Sequence, residues 1–284
     1  MNNCSGSLPV DKQVKILRAW LSDADAVVIG AGAGLSAAAG FTYGGRRFKE
    51  NFADFERAYG FHDMYSGGFY PFPSRQHFWA YWSRMIMLNR YGAPADGLYS
   101  ALLRAVKDKN YFVLTTNVDH RFQIAGFDKQ RLFYTQGDYG LFRCEKPCHN
   151  KTYDNYAQVK AMAEEQKDLK IPSALVPRCP VCGGYMTTNL RIDDSFVQDA
   201  GWHAACARYK NFIAQNSGKR VLFLELGVGM NTPGIIKYPF IDMTYRNKKS
   251  RYACINTEDN FAPLEIEERS LCIKSDLNII CQLV

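Results

Sequence analysis

Hydrophobic positions repeat along this chain in two rhythms. Between residues 11 and 21, Val14, Leu17 and Leu21 recur at helical spacing, so an amphipathic helix is expected there. Ala26-Val27-Val28-Ile29 follows as an unbroken apolar run closed by glycines, which reads as a buried strand, and a helix should begin near residues 36–40. Ser74 can cap a second helix with Phe78, Trp79, Trp82, Met85 and Ile86 on a broad apolar face. Asp96 can cap a third, with Leu98, Ala101, Leu102 and Ala105 on one side. Short apolar runs then recur at residues 111–115, 131–134, 220–226 and 251–255. Runs without alternation mark strands covered on both faces, hence a mostly parallel α/β sheet between two layers of helices. Residues 276–283 are expected to close the fold as a helix.

Residues 144–201 break this rhythm, with a polar helix predicted over 156–170 and two pairs of cysteines. The expected organisation is a nucleotide-binding sheet domain from residues 1–143 and 202–284, interrupted by a small metal-binding insertion at 144–201.

Composition adds limits. With 284 residues, 47% apolar and 22% charged, the chain can bury a large core. No apolar run is long enough to span a bilayer, and residues 1–10 lack a basic stretch followed by an apolar one, so a cytoplasmic location without membrane contact is expected. The formal charge of +7 suits an anionic cofactor or an acidic partner. Its basic residues are dispersed, apart from short clusters at Arg46-Arg47-Lys49 and Lys248-Lys249-Arg251, for which a solvated face is the plainer reading; no nucleic-acid partner is expected.

Gly30-Ala31-Gly32-Ala33-Gly34-Leu35-Ser36-Ala37 joins the first strand to a helix, and Gly32, Gly34 and Ala37 fit the dinucleotide form G-x-G-x-x-A. Such a turn brings backbone close to a pyrophosphate and aims helix N–H groups at it, as in Rossmann-like sheets. A dehydrogenase would place an acid at the end of a second strand about 20 residues on. Here residues 46–59 are charged and aromatic and do not read as a strand, so hydride transfer ranks last.

Cys144-x3-Cys148 and Cys179-x2-Cys182 can close a tetrahedral zinc site with no open position, which makes its role structural. An iron–sulfur cluster is a minor alternative, and His149 could replace one ligand. The other five cysteines (Cys4, Cys206, Cys254, Cys272, Cys281) read as small buried hydrophobes or unpaired thiols.

Taken in order, these pieces resemble a sirtuin over roughly residues 11–284. Gly32-Ala33-Gly34-Leu35-Ser36 with Ala39-Gly40 matches the opening turn, and Thr115, Asn117 and Asp119 match a strand-end motif. Gln136-Gly137 stands where the family has His-Gly; Gly227-Val228-Gly229, Ile255-Asn256 and Asp276 align with later cofactor motifs. The resemblance implies NAD held by Gly32, Ala33, Gly34, Ser36, Asn117, Asp119, Gln136, Gly227, Gly229, Asn256 and Asp276, with Arg46 or Arg47 on the diphosphate or an acidic partner. The departures resemble one microbial class. Phe41-Thr42-Tyr43-Gly44-Gly45 replaces the usual Ile-Pro-Asp-Phe-Arg, Gln136 replaces the general base, and no Phe-Gly-Glu segment is recognisable near residues 192–197. That class sits beside macrodomain and lipoyl-carrier proteins and transfers ADP-ribose. The implied partners are an acceptor protein, with a lipoyl-carrier protein as candidate, and a macrodomain protein.

The chemistry agrees with that class. Sirtuin deacylation needs a base to activate a ribose hydroxyl, and a glutamine amide cannot supply one, so that step should lose about two to four orders of magnitude. A carboxylate acceptor is already ionised at neutral pH and attacks without a base. Asn117, Asp119 and Gln136 are the expected catalytic residues: Asn117 bonds the ribose or nicotinamide, Asp119 orients the carboxamide and Gln136 holds a ribose hydroxyl. His120 is the rival base, but it should point away from Asp119 along an extended segment. The alternatives are an NAD-dependent protein-lysine deacylase with another base, or an inactive module that binds NAD or ADP-ribose.

Overall fold

The structure, a computed structural model, describes residues 8–92 and 97–283. Asp96 and Cys4 lie outside them. Ten α-helices are described: α1 (Val10–Asp23), α2 (Ala33–Ala38), α3 (Gly45–Tyr59), α4 (Met64–Gly68), α5 (Arg75–Ile86), α6 (Gly97–Val106), α7 (Arg121–Ile124), α8 (Tyr156–Glu165), α9 (Ala200–Gln215) and α10 (Lys237–Arg246). The nine strands are β1 (Ala26–Ala31), β2 (Tyr111–Thr115), β3 (Leu132–Tyr134), β4 (Gly137–Cys144), β5 (Tyr153–Asp154), β6 (Met186–Leu190), β7 (Val221–Leu226), β8 (Arg251–Asn256) and β9 (Ser270–Lys274).

Six strands form one sheet in the order β3-β2-β1-β7-β8-β9, parallel throughout. All six residues of β1 and of β7 are buried, as expected of central strands without alternation. Their side chains still alternate in direction. Val27, Ile29 and Ala31 share one apolar cluster with Leu17 and Leu21 of α1 and Leu98 and Leu102 of α6. Ala26 and Val28 share another with Ala205 of α9 and Phe240 of α10. Helices therefore cover both faces. The strand order reverses between β1 and β7, so their C-terminal ends open the crevice in which ligands of such sheets bind.

A second, antiparallel sheet, β5-β4-β6, carries the cysteines. Its core is aromatic. Phe48, Phe52 and Phe55 of α3 and Trp79, Tyr81 and Trp82 of α5 cluster with Tyr139, Phe142, Val159, Met162 and Met186. Residues 48–86 thus pack with the cysteine-bearing segment, an association across distant sequence that the hydrophobic pattern does not contain.

Several expectations move. Ser74 does cap α5, accepting from His77 N–H. The closing segment is a 3₁₀ helix, Leu277–Leu283, not an α-helix. The polar helix stops at Glu165 rather than residue 170, and Asp168 and Leu169 beyond it take positive φ of 49° and 59°. The strands of the small sheet, together with β9, α9 and α10, have no counterpart in the sequence reading.

Candidate active site

The loops that end β1 and β7 meet backbone to backbone. Gly34 N–H donates to the Gly227 carbonyl at 3.0 Å, and Gly32 N–H to that of Leu226 at 3.0 Å. A Cβ on Gly34 would stand 2.8 Å from the Gly227 Cα, and one on Gly32 would stand 2.6 Å from the Gly227 oxygen. Gly227 has φ 60° and is equally hemmed in, at 2.7 Å from Gly34. Glycine at these positions is therefore required by the seam itself, in addition to any approach of an anion.

Beyond β2 the chain turns into the crevice. Asn117 Nδ2 donates to the Gly32 carbonyl at 2.9 Å and to Ser36 Oγ at 3.0 Å. Ser36 Oγ donates to Asp119 Oδ2 at 2.5 Å and lies 3.0 Å from the Tyr99 hydroxyl. This network fastens the β2 end to the glycine turn. Burial pushes the Asp119 carboxyl above its ordinary range, against the opposing bonds from Ser36 and Arg121 N–H. His120, at φ 63°, turns the other way, and its Nδ1 lies 2.5 Å from Asp138 Oδ2. Asp138 also accepts from Arg90 Nε at 2.8 Å and Gly140 N–H at 2.7 Å.

Two cavities open here. The smaller, 360 Å³, runs from Ala33, Ser36 and Phe41 to Asn117 and Asp119. The larger, 650 Å³, lies between the glycine seam and the small sheet. They share Ala33, Tyr43, Thr116, Asn117 and Val118, which form the neck between them. Gln136 lines the larger cavity; its carbonyl accepts from Arg191 N–H at 3.0 Å, and its side-chain amide makes no hydrogen bond among the described residues. Among the described residues lining that cavity there is no aspartate, glutamate, histidine, lysine or cysteine.

Among the lining residues that sequence reasoning did not assign to the site, three matter most. Tyr43 and Tyr139 meet hydroxyl to hydroxyl at 2.5 Å, and burial holds the Tyr43 phenol up at about 12. Arg191 is exposed and stacks on Phe196 and Trp202, 4.8 and 5.6 Å from their centroids. Only the arginine beside the departed Phe-Gly-Glu region could have drawn notice. The tyrosines are brought together by the fold.

Gly229 lines the larger cavity with Val228, whose carbonyl accepts from Asn256 Nδ2 at 3.0 Å. Other expected ligands are engaged elsewhere. Arg46 points outward and pairs with Glu50 at 2.5 Å. Arg47 donates to Asn89 Oδ1 at 2.8 Å and to the Thr42 and Leu88 carbonyls, which ties the loop before α3 to the π-helical turn Met87–Tyr91 that follows α5. Asp276 is exposed and bonds Asn278 N–H at 2.7 Å at the start of the last 3₁₀ segment.

The four cysteines converge. Cys144, Cys148, Cys179 and Cys182 place all their sulfurs within 4.8 Å of one another, with two pairs at 3.7 Å. Four thiolates at about 2.3 Å from zinc would stand about 3.8 Å apart, so the cluster fits a structural zinc ion. A turn at Cys179–Gly184 shapes the second pair: Cys179 N–H donates to the Gly184 carbonyl at 2.7 Å. Backbone N–H groups of Cys182 and Val181 pull the Cys179 thiol down to about 6, whereas burial pushes the Cys144 and Cys148 thiols up. His149 falls outside this group of four sulfurs; its Nε2 lies 3.6 Å from Cys179 Sγ and 2.9 Å from the Tyr153 hydroxyl.

Comparison with known proteins follows this geometry. A protein ADP-ribosyltransferase of Staphylococcus aureus (strain Mu50) is 40% identical over 270 residues, 95% of this chain and 86% of that protein. A "probable bifunctional ADP-ribose hydrolase/ADP-ribosyltransferase" of Fusarium oxysporum f. sp. cubense is 33% identical over 284 residues; they cover 93% of this chain but 46% of that protein. Among solved structures, Sir2Tm bound to a propionylated peptide superposes with a TM-score of 0.57 at 18% identity, over 95% of each chain. A Sir2 protein with a peptide and NAD+ gives 0.55 at 16% identity, again over 95% of each. No protein-family model matches the chain.

Proposed function

This chain belongs to the protein ADP-ribosyltransferases of sirtuin fold, and from that premise we propose that it passes ADP-ribose from NAD to a carboxylate of an acceptor protein. The observation that carries the reading is the larger cavity, where an amide, Gln136, stands among lining residues that include no general base. In the step so proposed, a carboxylate oxygen forms a bond to the ribose carbon. The C–N bond breaks with its electron pair on nicotinamide, which leaves neutral. No proton changes hands, so no base is required.

NAD would lie across the glycine seam, its pyrophosphate toward Gly32, Ala33, Gly34 and the Gly227–Gly229 loop, with Asn256 bracing that loop. The nicotinamide would enter the smaller cavity beside Asn117, Ser36 and Asp119. Asn117 would present its amide to the reacting sugar, and Gln136 would hold a ribose hydroxyl. Arg46, Arg47 and Asp276 are left out of this assignment because their side chains hold other partners. The division into a nucleotide-binding part, 1–143 and 202–284, and a zinc-bearing insertion, 144–201, belongs to the same proposal, with residues 48–86 packed onto the insertion.

A lipoyl-carrier protein as acceptor follows from the family resemblance, and its support here is the apolar mouth of the cavity, where Tyr65, Phe69 and Ile192 are 63%, 57% and 59% exposed. A macrodomain companion has as its support the hydrolase named alongside the transferase in the Fusarium relative. The test is labelled NAD with purified protein and lysate of the native host. Nicotinamide release matched by label on a protein, removed by neutral hydroxylamine as an ester should be, is the expected result. Rapid deacylation of an acyl-lysine peptide with no protein label would overturn it.

A further inference from the structure

Tyr43 and Tyr139 are 96 positions apart in sequence and meet on the wall of the larger cavity. Tyr139, 4% exposed, is fixed by β4, where its N–H donates to the Val118 carbonyl at 2.9 Å. Tyr43 is held from α4, its carbonyl accepting from Met64 N–H at 2.8 Å. Each phenol brings one O–H proton. Their mutual bond uses one, and neither hydroxyl has another partner among the described residues. One O–H donor is therefore left over in a wall whose neighbours are Met64, Trp82 and Met85. A donor that faces a cavity from an apolar wall is satisfied by an oxygen that enters the cavity, from water or from a ligand.

We infer that the unspent O–H of the Tyr43–Tyr139 pair is the docking point for the acceptor's carboxylate, donating to one oxygen while the other attacks the ribose carbon. The inference rests on the carboxylate reading above. Position puts the pair where acceptor and NAD would meet: Tyr139 lines only the larger cavity, and Tyr43 stands at the neck between it and the smaller one. Chemistry favours a carboxylate over an amine, since a donor meets an acceptor oxygen and would face the N–H bonds of an ammonium group. Both phenols are held neutral by burial, so they do not repel the anion. A hydrogen bond to the oxygen that does not react fixes orientation without taking the lone pair that attacks.

The hydroxyl count makes the test sharp. Tyr43→Phe leaves Tyr139 with a free O–H, and Tyr139→Phe leaves Tyr43 with one; only the double variant has none. Replacing both partners of a buried bond with apolar groups of the same shape is nearly neutral for folding. The assay is labelled NAD in host lysate, read as label on protein against free labelled ADP-ribose. ADP-ribose affinity is measured alongside as a check on fold and cofactor site. The expected result is a ratio within about threefold of the unmodified protein for each single variant and at least tenfold lower for the double, with ADP-ribose affinity and hydrolytic nicotinamide release kept. An unchanged ratio in the double variant overturns the assignment alone, as does a parallel loss of ADP-ribose affinity, which would give the pair to the cofactor. If the unmodified protein labels nothing, or its label resists neutral hydroxylamine, the carboxylate reading falls first and takes the assignment with it.

Discussion

Val27, Ile29, Val113, Leu222 and Leu224 fill one side of the six-stranded sheet, while Phe48, Phe52, Phe55, Trp79 and Tyr81 fill the small lobe. The first core is aliphatic and layered, each strand feeding alternate residues to opposite faces. The second is a mesh of rings: Phe52 and Tyr81 stand 5.2 Å apart, Phe55 and Tyr81 5.4 Å, Trp79 and Phe142 4.9 Å. Around it are short strands and four sulfurs. The proposed reaction site lies between them, with the glycine seam as its floor and the tyrosines as its roof. The difference teaches that the floor rests on regular secondary structure, while the roof depends on side-chain packing beside a four-sulfur cluster that fits zinc.

Removing the metal should separate the two most widely. Protein purified without chelators should carry about one zinc per chain, and Cys179→Ser should lose it along with all measurable transfer. The near-ultraviolet circular dichroism contributed by Trp79, Trp82 and the rings around them should collapse while the far-ultraviolet signal of the sheet largely persists. Simultaneous loss of both would show one cooperative unit and break the comparison.

Next in size is the floor. Asn117→Ala removes the amide that bonds Gly32 and Ser36 and faces both cavities, and transfer should fall about a thousandfold. Gln136→Ala, measured in the same initial-rate assay, should cost about ten- to a hundredfold, the worth of one or two hydrogen bonds. Gly34→Ala drives a methyl into the Gly227 backbone at 2.8 Å, and the seam cannot yield as a side chain would. Denaturant titration should register about 1–3 kcal/mol of lost stability, with weaker NAD binding.

The smallest effect is expected at His120. With its Nδ1 given to Asp138, His120→Gln should change turnover less than about threefold, as a residue outside the reaction would. The Tyr43 phenol, held up at about 12 by burial, should add no limb to the pH–rate profile below about pH 9, while any acid limb would belong to Asp119, whose carboxyl burial pushes up. A pH-dependent limb present in the unmodified protein and absent in His120→Gln would restore the histidine as a base.

How much was legible follows the same divide. The runs at β1, β2, β7 and β8 and the glycine turn are local patterns, and each stands within a residue or two of where the sequence places it. The cysteine spacing likewise foretells a four-sulfur cluster. β4 is harder to see because Gly137 and Gly140 interrupt it and its register shifts between Gly137 and Phe142. α9 fully buries only Ala205 among its sixteen residues, so it offers little periodicity to detect. At the site, Asn117 and Gln136 were visible as motif positions, and Tyr43 and Tyr139 were not, because only tertiary packing joins them. Arg47 looked like an anion ligand by its charge, but the structure gives its guanidinium to Asn89 and two carbonyls.

The contact between Gly34 and Gly227 carries a mechanical consequence. Two loops locked through their main chains, with no intervening side chain that could rotate aside, behave as one plate. Whatever adjustment a dinucleotide asks for would then fall to the opposite wall, where side chains such as Tyr65 and Phe69 can turn.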